Sequence, residues 1–207
     1  MNKDNLFKRI FLVILGQSII GAGINLMIFA NLGVDPLGVF HTGVASVLNT
    51  TFAMALFIEN AIALVIVYFV DKKYINIATV ASLFVVSVVS HPIMSFYTMI
   101  LKDNLPVIIR GILLLLACLI LAIGLNFYVL ADLGMGAVDA FPEMIANKNN
   151  FDIGPVKVIV DLIFLGAGIL MGGSIGVGTL ISAFVVGPLI QTTRKKMIAP
   201  INKFLGV

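Results

Sequence analysis

Gly23-Ile-Asn25-Leu-Met-Ile-Phe-Ala30-Asn-Leu32-Gly33 returns as Gly124-Leu-Asn126-Phe-Tyr-Val-Leu-Ala131-Asp-Leu133-Gly134, an offset of 101 residues (124 less 23). The match runs on to Phe40 and Phe141. A second block follows in the same order at an offset of 100: Ile75, Thr79, Ser82, Phe84, Val85 and Val86 against Ile175, Thr179, Ser182, Phe184, Val185 and Val186. Two co-linear blocks at one period mark a duplication rather than coincidence between apolar helices. The chain divides into a first repeat, 1–101, and a second, 102–207, which carries a short basic C-terminal tail.

Composition sets the solvent. Of 207 residues 60% are hydrophobic and 11% charged, against about 45–50% and about 25% in a soluble domain. Mean hydropathy is +1.14. These values exclude a nucleic-acid-binding module, a disordered chain and an ordinary soluble enzyme, and they make the lipid bilayer the first partner. The net charge of +3 then reports orientation. Lys3, Lys8 and Arg9 precede an apolar run from Ile10 to Ala30. That run is longer than a signal-peptide core of about 7–15 residues and lacks a small-residue cleavage site, so it reads as a retained first span.

Each repeat reads as four segments: 8–30, 36–48, 53–70 and 76–98, then 106–130, 136–147, 154–172 and 176–193. The second of each four is short. Thirteen residues at 1.5 Å make roughly 20 Å of helix, against a hydrocarbon core of about 30 Å. Such a segment is a half-helix that must be buried in protein or line a cavity. The expected fold is therefore all-α and polytopic: six transmembrane helices plus two half-helices in two inverted repeats. Charge does not choose between six and eight crossings. Six leave Lys102 and Arg110 outside, eight leave Lys72 and Lys73, and both put the termini in the cytoplasm. Segment length favours six. Arg194-Lys195-Lys196 closes the last span, and the tail from Met197 reads equally as an interfacial amphipathic stretch or as a frayed end.

The polar residues sit at matching places. After the first span, Gly33-Val-Asp35-Pro36 offers Asp35 as an N-cap and Pro36 at the first helical position. The equivalent turn is Gly134-Met-Gly136, with a helix beginning near Ala137 and carrying Asp139. Broken-helix entries at corresponding positions of two repeats point to a transporter site near the midplane. Helix N-termini with free N–H groups suit an anionic or carbonyl-bearing ligand. Asn25 and Asn126 share one repeat position, and an amide in lipid needs either a neighbouring helix or a substrate path. Gly33, Asp35, Gly134, Asp139, Asn25 and Asn126 are the candidate substrate-binding residues. Asn31 and Asp132 match beside the turn as caps.

Glu59, Asn60, Lys157 and Asp161 lie mid-span, with Asn60 matching Asp161. An ionisable group at that depth costs at least about 2.5 kcal/mol, so it faces a partner or a cavity. Lys157 and Asp161 are four residues apart and can pair on one helix face. These four are candidates for proton or cation coupling, Glu59 and Asp161 foremost, against a packing ion pair. His41 and His91 read first as packing residues, and Glu143 as a cytoplasmic surface group. Two histidines and a single buried Cys118 make no metal centre, and no cofactor motif is present. Gly166, Gly168, Gly172, Gly173, Gly176 and Gly178 form a small-residue stripe for close helix packing, which permits a homodimer.

The Gly-x-Asn-x(4)-Ala-x-Leu-Gly pattern, its recurrence, and Gly-Val-Gly-Thr179 leading to Phe184-Val-Val-Gly187-Pro188 resemble the YczE/YitT-type family of bacterial integral membrane proteins. The resemblance implies a small polytopic protein of the bacterial cytoplasmic membrane, described as a transporter without an assigned substrate. It carries no catalytic residues over. The expected function is secondary transport of a small polar or anionic solute, without enzymatic activity. The alternatives are a channel or facilitator built from paired half-helices, and a non-transporting scaffold or regulatory partner.

Overall fold

A computed structural model describes residues 3–101, 105–134, 136–138, 140–151 and 153–206, with the helical side chains of 3, 4, 77, 78, 80, 82, 83, 87, 143, 153, 154 and 157 left out. The described residues form eight α-helices and no strand. They are α1 Lys3–Ala30, α2 Pro36–Val47, α3 Phe52–Val70, α4 Ile77–Ile100, α5 Val107–Leu130, α6 Ala140–Asn149, α7 Ile153–Leu170 and α8 Val177–Leu205. A 3-10 turn, Lys72–Tyr74, joins α3 to α4. Among the described residues three helical stretches are long and apolar enough to cross a membrane: Asn5–Ala30, Phe52–Val70 and Val107–Leu130. Ile62, Val65, Ile66 and Phe69 of α3, Val158, Ile159, Leu162 and Ile163 of α7, and Ile108, Ile112, Leu115 and Leu116 of α5 are exposed. Apolar surface on that scale is a lipid-facing surface.

The capping signals act where they stand in the sequence. Asp35 accepts from the Gly38 backbone N–H at 3.4 Å, with Pro36 at the helix start. Thr51 caps α3 through Met54 N–H at 3.3 Å. Asn76 and Thr79 form a reciprocal capping box at the start of α4, with bonds of 3.2 and 3.3 Å. Asn31 (φ 49°) and Asp132 (φ 51°) close α1 and α5 in the left-handed region, where Asn and Asp are tolerated. Gly33 (φ 107°) and Gly134 (φ 96°) then turn the chain in a conformation that demands glycine.

Two expectations are corrected. α6 begins at Ala140, not near Ala137. Gly136 to Val138 are spent on a turn, in which Ala140 N–H donates to Gly136 O at 3.0 Å and Phe141 N–H to Val138 O at 3.2 Å. Pro142 then falls in the first helical turn, where its missing N–H has no partner to lose. The tail from Met197 is not frayed. α8 continues through Arg194-Lys195-Lys196 to Leu205, and Ile201 and Leu205 are buried in the main core with Leu12 and Val13 of α1. Phe204 meets Phe11 with ring centroids 6.5 Å apart, and Lys8 lies over the Phe204 ring at 5.5 Å. The apolar face continues in register past the basic run, so tertiary burial outweighs the local charge.

The centre of the molecule is the α1–α5 pair, with α4 packed on α1 and α8 on α5. α1 and α5 are antiparallel and touch backbone to backbone. A Cβ on Gly124 would stand 2.7 Å from Ile20 N and 2.9 Å from Gly16 O; one on Gly23 would stand 2.9 Å from Leu121 N and 3.1 Å from Ala117 O. These contacts are reciprocal, because Gly23 matches Gly124, Gly16 matches Ala117 and Ile20 matches Leu121 at the offset of 101. Small residues here allow the close approach that drives helix association in lipid.

Arginines fasten both ends of this pair. Arg9 donates to Ala131 O at 2.8 Å and pairs with Asp132 at 3.3 Å. Its repeat mate Arg110 donates to Ala30 O at 2.6 Å and also to Asn31 O. Each thereby satisfies carbonyls that the other helix leaves open at its C-terminus.

Candidate functional site

α2 is 12 residues long and α6 is 10, about 18 and 15 Å at 1.5 Å per residue. Their starts converge. Leu37, Ala137, Val138 and Phe141 pack with Ala63 and Leu64 of α3 and Phe164 of α7 in one apolar cluster. Their ends part. The end of α2 lies against the end of α7: a Cβ on Gly43 would be 2.7 Å from Gly168 O, and Thr42 Oγ1 accepts from Ser174 N–H at 2.8 Å. The end of α6 lies against the α3–α4 turn, where Asn147 donates to the Tyr74 hydroxyl at 2.8 Å. A surface cavity of about 240 Å³ lies there between Val70, Lys73, Met144 and Lys148.

The turns that precede the half-helices are each held by the other repeat. A Cβ on Gly33 would meet Thr179 Oγ1 at 2.6 Å and Gly176 N at 2.7 Å, and Leu32 O accepts from Gly178 N–H at 2.6 Å. Gly134 is packed against Asn76 in the same manner. The α3–α4 turn therefore shares an end of the bundle with the C-terminus of α5 and with Arg9.

Beside the apolar cluster lies a buried contact between an imidazole and a carboxylate. His41 Nε2 and Glu59 Oε2 are 2.7 Å apart, with side chains 6% and 9% exposed. His41 reaches this point because α2 packs on both α3 and α7; its ring meets Phe52 edge-on at 5.7 Å. Both Glu59 carboxylate oxygens and Asp35 Oδ1 are buried without a hydrogen-bond partner among the described residues. Asp35 lies within electrostatic range of His41 and of Asp161. Only His41 and Glu59 are in direct contact; Asp35 and Asp161 act on this region through space.

The other sequence candidates fall elsewhere. Asn25 is buried and donates to Gly21 O at 2.7 Å within α1. Asn126 donates to Ala122 O and Ile190 O at 3.0 Å and to Thr193 Oγ1 at 2.7 Å, joining α5 to α8. Asn60 donates to Leu56 O at 2.9 Å and faces its own helix. Asp139 and the Lys157 and Glu143 side chains lie outside the described residues. Gly168, Gly173, Gly176 and Gly178 of the stripe pack within the chain, while Gly166 faces open space. Among the described residues no cluster of three ligating side chains could hold a metal ion.

His41 is the participant that sequence reasoning set aside as a packing residue. Glu59 lies 18 positions on (59 less 41) in a different helix, and the intervening turn, not any spacing rule, brings the two together. The one available hint was that His41 lies within a segment too short to cross.

Comparison with known proteins agrees with this architecture. The model of a family of unknown function, DUF6198, matches residues 7–195. An uncharacterised protein of Haemophilus influenzae is 25% identical over 185 residues, covering 89% of this chain and 83% of its own. The uncharacterised membrane protein YczE of Bacillus subtilis is 24% identical over 201 residues, covering 97% and 92%. No solved structure matches. All-helical among its described residues, this chain belongs to the DUF6198 family and is a membrane protein of the YczE type.

Proposed function

We propose that the protein is a secondary transporter that carries a small polar or anionic solute across the bacterial cytoplasmic membrane. It does so with six spans and two half-helices in two inverted repeats. The observation that carries this reading is the pair of half-helices whose starts meet beside the buried His41–Glu59 contact while their ends diverge to opposite ends of the bundle. Antiparallel α1 and α5, with reciprocal contacts at one offset, are what inverted repeats require. The Lys72–Tyr74 turn lies at the same end as Arg9, which supports six crossings. That end also holds Lys8 and the basic close of α8, which by the positive-inside rule supports cytoplasmic termini.

In this reading Gly33 and Asp35 lead into the first half-helix and Gly134 precedes the second, Glu59 and Asp161 supply coupling, and Asn25, Asn60 and Asn126 serve helix structure. Asp35 already accepts from one of the free amides of α2, that of Gly38. A free anion would compete with that carboxylate, which favours the polar solute class. The tightly packed Leu37–Val138 cluster favours a carrier over a standing pore.

The test is transport itself. A thermal-shift screen of the purified protein finds a stabilising solute, and uptake of that solute into liposomes is driven by a pH gradient. Asp161→Asn is expected to abolish gradient-driven uptake with expression intact. Uptake with unchanged pH dependence rejects the coupling role, and absence of any flux in the wild type rejects the transporter.

A further inference from the structure

We propose that the His41–Glu59 pair is a proton-binding site, in which one exchangeable proton is held between α2 and α3; its part in coupling rests on the transporter reading above, its protonation does not. An imidazole and a carboxylate 2.7 Å apart, both more than nine-tenths buried, form a close charge contact in which the carboxylate favours a proton on the ring, while neither Glu59 oxygen accepts a hydrogen bond among the described residues. The proton that enters adds to Nε2 of the neutral imidazole, raising the pair from a net charge of −1 to zero, and departure of that proton restores −1. No other bond changes.

The surroundings decide why the site exchanges its proton rather than holding a permanent ion pair. Asp35, at the cap of α2, lies within electrostatic range of His41, and Asp161 of α7 lies within range of Asp35. Cys118 of α5 lies within range of Asp35. α8 also touches α2, and its stretch 177–193 has no ionisable side chain. Lys157 lies one turn before Asp161 on α7. A buried cluster with more carboxylates than cations draws in a proton to offset its charge. Glu59 Oε1 and Asp35 Oδ1, both buried without a donor, are the acceptors along which the proton, or the water bearing it, reaches the imidazole.

The repeat relation supports a dedicated role. His41 matches Pro142 and Glu59 matches Val160. The equivalent packing position is thus filled without any ionisable group, so the helix contact does not itself require the ion pair. A buried pair retained for stability alone is weakly supported physically, since well-packed apolar residues of similar volume serve as well or better.

The chain has two histidines, and His91 is exposed. The variant His91→Gln, labelled with 15N-histidine, therefore reports His41 alone. The expected result is one reversible titration of its ring nitrogens between about pH 5 and 9. Adding Glu59→Gln moves the midpoint to lower pH by about one unit or more, a tenfold loss of proton affinity. Ring resonances that stay constant across the range, or a midpoint that Glu59→Gln leaves in place, overturn the proposal. Should Glu59→Gln not fold, the His91→Gln titration decides alone, and a flat response sinks the site. Titration in a protein that moves no solute removes the transporter and keeps the site; gradient-driven uptake with a flat His41 does the reverse.

Discussion

The α1–α5 pair and the α2–α3 layer differ in how far the two matching halves of the sequence agree. In the pair, symmetry survives in detail: Arg9 and Arg110, Gly23 and Gly124, and Asn31 and Asp132 make matching contacts at opposite ends. In the layer, symmetry is lost where charge resides. Asp35, His41 and Glu59 of the first repeat face Gly136, Pro142 and Val160 in the second, and Asn60 faces Asp161. Backbone contact between helices tolerates no drift, because a misplaced Cβ meets main chain that cannot yield. The lesson is that packing preserved both copies, while ionisable chemistry was gathered mainly into one.

The largest effect is expected in the pair. Gly124→Leu places a side chain within 2.7 Å of Ile20 N, and no folded protein should be recovered by size-exclusion chromatography in detergent. Monodisperse protein would show that the α1–α5 approach is not rigid. Next comes the layer. Glu59→Ala leaves His41 buried without its partner, at roughly 3 kcal/mol, near the low end for such pairs because imidazole can shed its proton. The equivalent Val160→Ala removes two carbons at about 1.6 kcal/mol. Thermal unfolding of the two variants ranks them, and equal losses would mean that the two copies of the layer are energetically alike.

Arg9→Ala and Arg110→Ala each free carbonyls at a helix end, at about 1–3 kcal/mol. Matching contacts predict matching losses; a lowering of the melting temperature more than twofold greater for one would break the symmetry of the pair. The smallest effect belongs to Gly166→Ala, where nothing lies within 4 Å of the added carbon. Helix propensity alone acts there, a gain of about 0.5–1 kcal/mol, and a loss would place a neighbour on that face.

Much of this arrangement is legible in the residues. The duplication, the segment lengths and the Asp35-Pro36 entry place α1 to α5 within a few residues, since caps and left-handed closures act locally. α6 was misplaced because Gly136 carries no cap and Pro142 is compatible with a start on either side of Val138. The close of α8 was hidden by Arg194-Lys195-Lys196, a local charge signal that burial of Ile201 and Leu205 overrides. Asn25 and Asn126 look alike in sequence, yet only Asn126 is seen to bond another helix, through Thr193, 67 positions away. Pairings at that range, like His41 with Glu59, are properties of the tertiary fold and leave no periodic trace.

The exchanged seating of the turns has a genetic corollary. Gly33 rests on Gly176 and Thr179, and Gly134 rests on Asn76, so a lone half would lack the seat for its own bend. A polypeptide of one half alone would need a second copy to supply that seat. Carrying both in one reading frame fixes their ratio and frees either half to mutate without its twin.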